Sequence, residues 1–102
     1  MTVYVDPLLD HGWVILGEPT RNSHMFTDQA DLSELHALAQ AIGMHRMRFQ
    51  DKPKAPHYDL TPHRRALAVA VGAVEVSRRE AVLIWRARRV LVAATAHDES
   101  SS

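Results

Sequence analysis

The chain has 102 residues, 46% of them hydrophobic and 24% charged, and it contains no cysteine. This length fits one domain with its own core, and the lack of thiols excludes disulfides, cysteine-bound metals and a cysteine nucleophile. No apolar run is long enough to span a membrane, and the first residues lack the pattern of a signal peptide. We therefore expect one cytoplasmic domain over residues 1–96, followed by a disordered polar tail over 97–102.

The net charge of zero hides two oppositely charged halves. Residues 1–44 carry six acids and one base, whereas residues 45–95 carry eleven bases and four acids. A basic half is typical of proteins that bind a nucleic acid or an anionic small molecule. The alternative is that the two halves neutralise each other across one small domain.

The first part of the chain predicts short strands. Residues 3–5 and 13–16 are β-type runs bounded by proline or glycine, and residues 24–26 form a third such run. Between them, the proline and asparagine of residues 18–23 predict a loop.

The next elements are a helix and a fourth strand. Asp31 and Glu34 have the spacing of a capping box, which predicts a helix over residues 31–42 that ends at Gly43. The segment 46–50 then alternates polar and apolar residues, which predicts a half-buried strand with Met47 and Phe49 inward.

The last part of the chain combines two helices with a short strand. Residues 51–58 hold two prolines and predict a loop, after which Thr61 and Pro62 predict the start of a helix over 62–71. A brief strand over 74–76 follows, and Ser77 and Glu80 form a second capping box that opens a helix over 78–95. The order β-β-β-α-β-α-β-α predicts an α/β fold, a small mixed or parallel sheet flanked by about three helices.

Several short motifs follow one another over about residues 1–80. They are Val3-Tyr4-Val5-Asp6, Ser23-His24-Met25 with Asp28, Glu34-Leu35-His36, Ile42-Gly43, Phe49-Gln50, His57-Tyr58-Asp59-Leu60, Arg65 and Gly72-Ala73-Val74. In these motifs the chain resembles a small bacterial and phage family, domain of unknown function 4031. Arg48 stands where we expect a tryptophan in that family. The resemblance implies no activity, but it marks which polar positions belong to the family's pattern.

Five residues are candidates for chemistry at strand ends and in loops. Asp6 closes the first strand, where ligands gather in open α/β sheets, although Asp6 with the following proline can also simply turn the chain. His24 and Asp28 lie four residues apart. His57 and Asp59 lie two residues apart, so in an extended segment the His57 and Asp59 side chains point to the same side. Imidazole with carboxylate suits zinc, manganese or iron, or a general base with an orienting acid.

We therefore predict a catalytic group made of Asp6, His24, Asp28, His57 and Asp59. Asp6, His57 and Asp59 would bind a divalent metal ion whose identity the sequence does not give. The alternative for Asp59 is a hydrogen bond to backbone amides at the start of the next helix.

Arg64, Arg65, Tyr58 and Gln50 are candidates for binding a substrate. An arginine in the first turn of a helix opposes the helix dipole unless an anion lies nearby, and with free backbone amides it can bind a phosphate. Gln50 ends its predicted strand beside the same sheet edge. Three of them have an alternative to substrate binding. Tyr58 can be a core residue with a satisfied hydroxyl, Gln50 can simply face solvent, and Arg65 can form a structural ion pair.

The helix over 78–95 carries Arg86, Arg88 and Arg89 beside the apolar Trp85. This pattern is typical of an amphipathic helix that packs on the sheet, and a homodimer seam or a nucleic-acid contact are the alternatives.

No dinucleotide-binding, Walker, nucleophile-elbow or zinc-protease motif occurs in the sequence. The leading hypothesis is a metal-dependent hydrolase acting on a phosphate-containing substrate, such as a nucleotide or a nucleic acid. The alternatives are a non-catalytic module that binds a nucleotide or another anion, and a phage-type interaction domain working through the last helix.

Overall fold

The structure is a computed structural model that describes residues 2–15 and 18–101, with side chains for 2–9 and 21–94. The strands are β1 (Val3–Val5), β2 (Leu9–Ile15), β3 (Glu18–Thr27), β4 (Phe49–Gln50), β5 (His57–Leu60) and β6 (Val74–Glu75). The helices are α1 (Ser33–Ala41), α2 (Pro62–Ala70) and α3 (Arg78–Ser101), and a 3₁₀ turn covers Arg46–Arg48. The described chain is thus a small α/β fold with a mixed sheet, as predicted.

Strand β3 is the centre of the sheet. The strands follow the order β4-β5-β3-β1-β6, and β2 pairs with β3 outside this path. The pairing of β1 with β6 is parallel, while β1–β3, β3–β5 and β4–β5 are antiparallel. The first half of β3 forms a hairpin with β2, and its second half lies between β1 and β5.

The two faces of the sheet bury different side chains because strand residues alternate in direction. One face packs against α1 and α2 through a cluster that includes Val5, Met25, Tyr58, Leu60, Leu35, Ala39 and Ala68. The other face packs against α3 through Phe26, Val76 and Ala81, with Tyr4, Ile84 and Trp85 beside them. The sheet therefore forms a middle layer between α1 and α2 on one side and α3 on the other.

Two helix starts are formed as the sequence predicts. The Thr61 side chain accepts a hydrogen bond from the Arg64 amide at 3.3 Å. Ser77 and Glu80 form a reciprocal capping box, with bonds of 3.0 and 3.1 Å between each side chain and the other residue's amide. Local sequence signals of this kind suffice to set the start of a helix, because they satisfy backbone amides that the helix itself leaves unpaired.

The start of α1 differs from the prediction. The helix begins at Ser33, and Asp31 accepts hydrogen bonds from the Ser33 amide and hydroxyl at 2.8 and 2.6 Å. Asp31 therefore caps the turn before the helix and forms no capping box with Glu34. At the other end, Gly43 has a φ of +78°, the left-handed conformation that the sequence predicts there.

Three predicted strand or loop assignments were wrong. The segment 46–50 is mostly a 3₁₀ turn, and the side chain of Met47, expected to face inward, is 79% exposed. The predicted loop 51–58 ends early because β5 begins at His57, directly after a proline. The predicted loop 18–23 belongs to β3, where pairing with β2 extends the strand.

Helix α3 continues to Ser101, past its predicted end near residue 95. The backbone of residues 97–101, predicted to be a disordered tail, is thus helical here, and the domain boundaries stay predictions. Residue 16 of the predicted second strand lies outside the described residues. In the part of the chain that is described, no helix is long and apolar enough to cross a membrane.

Candidate metal centre

Neighbouring strands bring two histidines and an aspartate to the α3 face of the sheet. His24 lies opposite Asp59 in the pairing of β3 with β5. His57 precedes Asp59 by two residues on β5, so strand alternation turns both to the same face. The intervening Tyr58 points to the opposite face and is buried.

Asp6, just beyond β1, fixes the orientation of His24. One carboxylate oxygen of Asp6 accepts a hydrogen bond from the His24 amide at 2.6 Å. The other lies 2.8 Å from Nδ1 of the His24 ring. Because a carboxylate accepts hydrogen bonds, Nδ1 carries the proton and Nε2 is left to face Asp59, whose Oδ1 is 3.7 Å away.

His57 is oriented in the same sense by the backbone. Its Nδ1 lies 2.7 Å from the carbonyl oxygen of Ala55. A carbonyl can only accept, so Nδ1 donates its proton and Nε2 faces Asp59, at 3.3 Å from Oδ1. Each imidazole thus has a partner on its Nδ1 atom, the usual arrangement for histidines that bind metals through the other nitrogen.

His24, His57 and Asp59 each offer one ligand atom, and these three atoms lie within 4.8 Å of one another. We name this set the His-His-Asp group. Two imidazoles and one carboxylate are a ligand set for zinc and for iron. The side chains are 23%, 13% and 23% exposed, so the group is sheltered and still reachable from solvent.

The electrostatics favour a positive charge within the group. The hydrogen bond to Asp6 raises the pKa of His24 above its ordinary value and outweighs burial, which lowers it. The negative charges of Asp6 and Asp59 raise this pKa further. Lone pairs on the two Nε2 atoms and on the Asp59 oxygen would repel one another, so a proton or a cation stabilises the arrangement.

Trp85 of α3 forms one wall of the site. Its ring centroid lies 5.8 Å from that of His24, and the His24 and His57 rings meet edge-on at 4.7 Å. The Trp85 indole nitrogen is buried and has no hydrogen-bond partner among the described atoms. Sequence reasoning placed Trp85 on a packing face and missed its position beside the histidines, since only the docking of α3 reveals it.

The other two predicted catalytic residues, Asp6 and Asp28, lie outside the three clustered ligands. Asp6 contacts His24 through both carboxylate oxygens, so it positions this ring and is not one of the three clustered ligands. Asp28 accepts hydrogen bonds from the Tyr4 hydroxyl at 3.1 Å, the Gln29 amide group at 3.1 Å and the Thr2 amide at 3.4 Å. Asp28 is thus hydrogen-bonded to residues at the start of the chain.

The two predicted phosphate-binding arginines make structural contacts. Arg65 donates from Nε to the Asp6 carbonyl at 2.9 Å and from Nη1 to Glu75 at 2.8 Å. Arg64 donates to the Ile42 carbonyl at 2.5 Å. This bond places the Arg64 charge at the C-terminus of α1, where the helix dipole favours a cation.

The other two predicted substrate-binding residues lie on opposite faces. The Tyr58 hydroxyl is 2.8 Å from Nδ1 of His36, which corresponds to the alternative of a core tyrosine with a satisfied hydroxyl. Gln50 of β4 pairs with His57 of β5, so it lies beside the His-His-Asp group on the same face.

The fold and the site together define a small α/β protein with two histidines and an aspartate gathered on one face of its sheet. The model of a family described as protein of unknown function (DUF4031) matches residues 3–88. The chain belongs to this family, which confirms the resemblance seen in the sequence. No curated protein and no solved structure matches the chain.

Proposed function

We propose that this protein is a metal-dependent hydrolase that acts on a phosphate-containing substrate. The observation that carries the proposal is the convergence of the His24, His57 and Asp59 ligand atoms within 4.8 Å. These residues would bind one divalent ion, so His24 takes the place that the sequence suggested for Asp6. Asp6 and the Ala55 carbonyl hold the two rings so that each presents Nε2.

Three protein ligands leave coordination positions for water and substrate, as in catalytic zinc sites. A divalent ion bound there supplies a water of lowered pKa at neutral pH. The half-buried setting and the Trp85 wall limit the access of bulk water, which strengthens electrostatic interactions in the site.

A cation on the loop that orients His57 favours a phosphate as the substrate group. The Arg89 guanidinium donates to the Lys54 carbonyl at 3.4 Å. Lys54 directly precedes Ala55, whose carbonyl orients His57. Arg89 thus brings a positive charge to the loop that orients His57, where it can bind a phosphate oxygen. A nucleotide or a nucleic acid is the substrate class we expect.

The first experiment measures metal in the purified, untagged protein. We expect elemental analysis to find about one equivalent of a divalent ion, and calorimetric titration of the stripped protein to give one site. His57→Gln and Asp59→Asn should each abolish tight binding, because each removes a ligand. Asp28→Asn is the matched control and should bind like the wild type. Equal affinity of wild type and His57→Gln would contradict the proposal.

The second experiment tests hydrolysis with bis(p-nitrophenyl) phosphate and with nucleotides, in the presence of Zn²⁺ or Mn²⁺. Turnover should require the ion and should be lost in Asp59→Asn. If metal binds tightly but nothing is hydrolysed, the protein is a metal-binding module and the hydrolase proposal fails.

The homodimer through the 78–95 helix stays a prediction. Several apolar side chains of α3 are exposed, including Leu83 at 55% and Val90 at 71%. Sedimentation of the wild type and of Val90→Arg measures whether copies associate there. A wild type that is monomeric at high micromolar concentration would exclude this dimer.

A further inference from the structure

A cavity lies on the opposite face of the sheet from the His-His-Asp group. Its volume is about 660 Å³, and it lies between α1, the turn that follows α1, and β5. Its lining includes His36, Gln40, Met44, Arg46 and Tyr58. Since strand alternation turns Tyr58 away from His57 and Asp59, this cavity is separate from the candidate metal centre.

Beneath the cavity lie aromatic rings and one hydrogen-bonded polar pair, His36 and Tyr58. Tyr58 is 1% exposed, and its ring lies 5.3 Å from that of Phe49. The Tyr58 hydroxyl is hydrogen-bonded to Nδ1 of His36 at 2.8 Å. The Phe49 ring also meets His36 edge-on at 4.7 Å, which fixes the imidazole. Met44 and the His36 ring, which Phe49 and the buried Tyr58 hold in place, make a preformed surface for an apolar ligand body.

Arg46 places a positive charge at this cavity. Burial lowers the pKa of His36 and the charge of Arg46 lowers it further, while Asp51 acts in the opposite direction. Burial also raises the pKa of Tyr58, and Arg46 opposes this. The Arg46 charge therefore acts on both members of the polar pair. No ion pair of Arg46 occurs among the side chains that the structure describes.

We infer that this cavity binds a small organic anion, an apolar body that carries one carboxylate or phosphate group. Arg46 pairs with the oxyanion, because a guanidinium offers a fork of donors to two oxygens. Gln40, one turn after His36 on α1, supplies an amide to the same group. The apolar body rests on Met44 and the half-buried ring of His36. This inference does not depend on the proposed hydrolase activity.

The test is a two-dimensional NMR titration of the full chain with benzoate, with phenyl phosphate, and with benzamide as a neutral analogue. We expect both anions to shift the amide signals of Gln40 and Arg46 with millimolar dissociation constants, and benzamide to bind at least tenfold more weakly. The ratio of the two anion affinities tells a carboxylate site from a phosphate site. Equal binding of benzamide would overturn the inference.

Variants locate the binding. Arg46→Gln should weaken both anions at least tenfold, whereas Arg48→Gln, an exposed arginine of the same turn, should leave the affinities unchanged. His57→Gln should also leave them unchanged, because its side chain lies on the other face. If His57→Gln abolishes anion binding while Arg46→Gln does not, the anion binds at the metal centre and the cavity proposal is wrong.

Discussion

His24 joins the His-His-Asp group through contacts with two other segments of the chain, whereas His57 and Asp59 lie two residues apart in one strand and share a face. The contact of His24 with Asp6 joins residues 18 positions apart, and its contact with Asp59 depends on the register between β3 and β5. These pairings are set by the whole sheet, so the division of roles between Asp6 and His24 could not be read from local pattern.

Asp6→Asn tests the positioning role of Asp6. The amide group can keep the bond to the His24 backbone, but its NH₂ group would face the ring and favour a proton on Nε2, the ligand atom. We expect metal affinity to fall roughly 10–100-fold, as for other partners of metal-binding histidines. Calorimetric titration with Zn²⁺ measures the change, with Asp28→Asn as the control. An unchanged affinity would show that Asp6 does not orient the ligand.

Asp28 gives a prediction for stability against pH. Burial raises the pKa of Asp28, but hydrogen bonds from Gln29, Tyr4 and the Thr2 amide outweigh it and lower the pKa below 3.8. A carboxyl with a lowered pKa in the folded state stabilises the fold above its unfolded value and loses this contribution as pH falls through the folded value. We expect Asp28→Asn to reduce the free energy of unfolding by about 1 kcal/mol at pH 7.

The difference between wild type and Asp28→Asn should shrink as the pH falls below 3.8, the ordinary value for this group. Urea unfolding at pH 7, 5 and 3 measures it. A constant difference at all three values would contradict a role for the Asp28 charge.

Among the elements, α2 and α3 begin at local signals, whereas the segment around Met47 depends on its pairing partner. Thr61 with Pro62, and Ser77 with Glu80, satisfy helix-end amides by themselves, so they act wherever the chain places them. The alternation around Met47 has no such self-contained cause. The segment 46–50 becomes a strand only where a partner strand pairs with it. Of these five residues, only Phe49 and Gln50 pair with β5.

Ser77→Ala should destabilise the protein through α3. The change removes the acceptor for the Glu80 amide and one half of the capping box. Loss of such a cap costs about 0.5–2 kcal/mol, which thermal and urea unfolding can measure. Glu80→Gln is the matched comparison, because glutamine can also bond back to the Ser77 amide. The model of the cap fails if Glu80→Gln destabilises more than Ser77→Ala.

Across the whole molecule, arginines of the basic half bind backbone carbonyls of residues 1–44. Arg65 donates to Asp6, Arg64 to Ile42, and Arg88 to Gln29 and Ala30. Arg88 is 6% exposed, so its charge is held by these carbonyls in place of water. The charge asymmetry of the sequence therefore reflects in part how arginines hold α2 and α3 against backbone carbonyls of the acidic half. Composition reveals the excess of arginines but not their acceptors.

Arg65 joins α2 to the end of β1 and to β6. Its side chain is 16% exposed, while that of Glu75 is 60% exposed. We expect Arg65→Gln to lower the free energy of unfolding by about 1.5–3 kcal/mol, because it removes a charged hydrogen bond to the Asp6 carbonyl. Glu75→Gln removes only the exposed pair and should cost about 0–1 kcal/mol. Urea unfolding compares the two, and equal effects would refute this role of the Asp6 contact.

The central position of β3 also has a kinetic consequence. The β2–β3 hairpin is local and can close within microseconds, whereas the pairings of β3 with β1 and β5 require longer loops to close first. Asp6, His24 and Asp59 meet only after both of these pairings exist. An ion that binds the assembled group and not the unfolded chain stabilises the native state by mass action. If the group forms after the folding transition state, the bound ion lengthens the lifetime of the folded protein and leaves its folding rate almost unchanged.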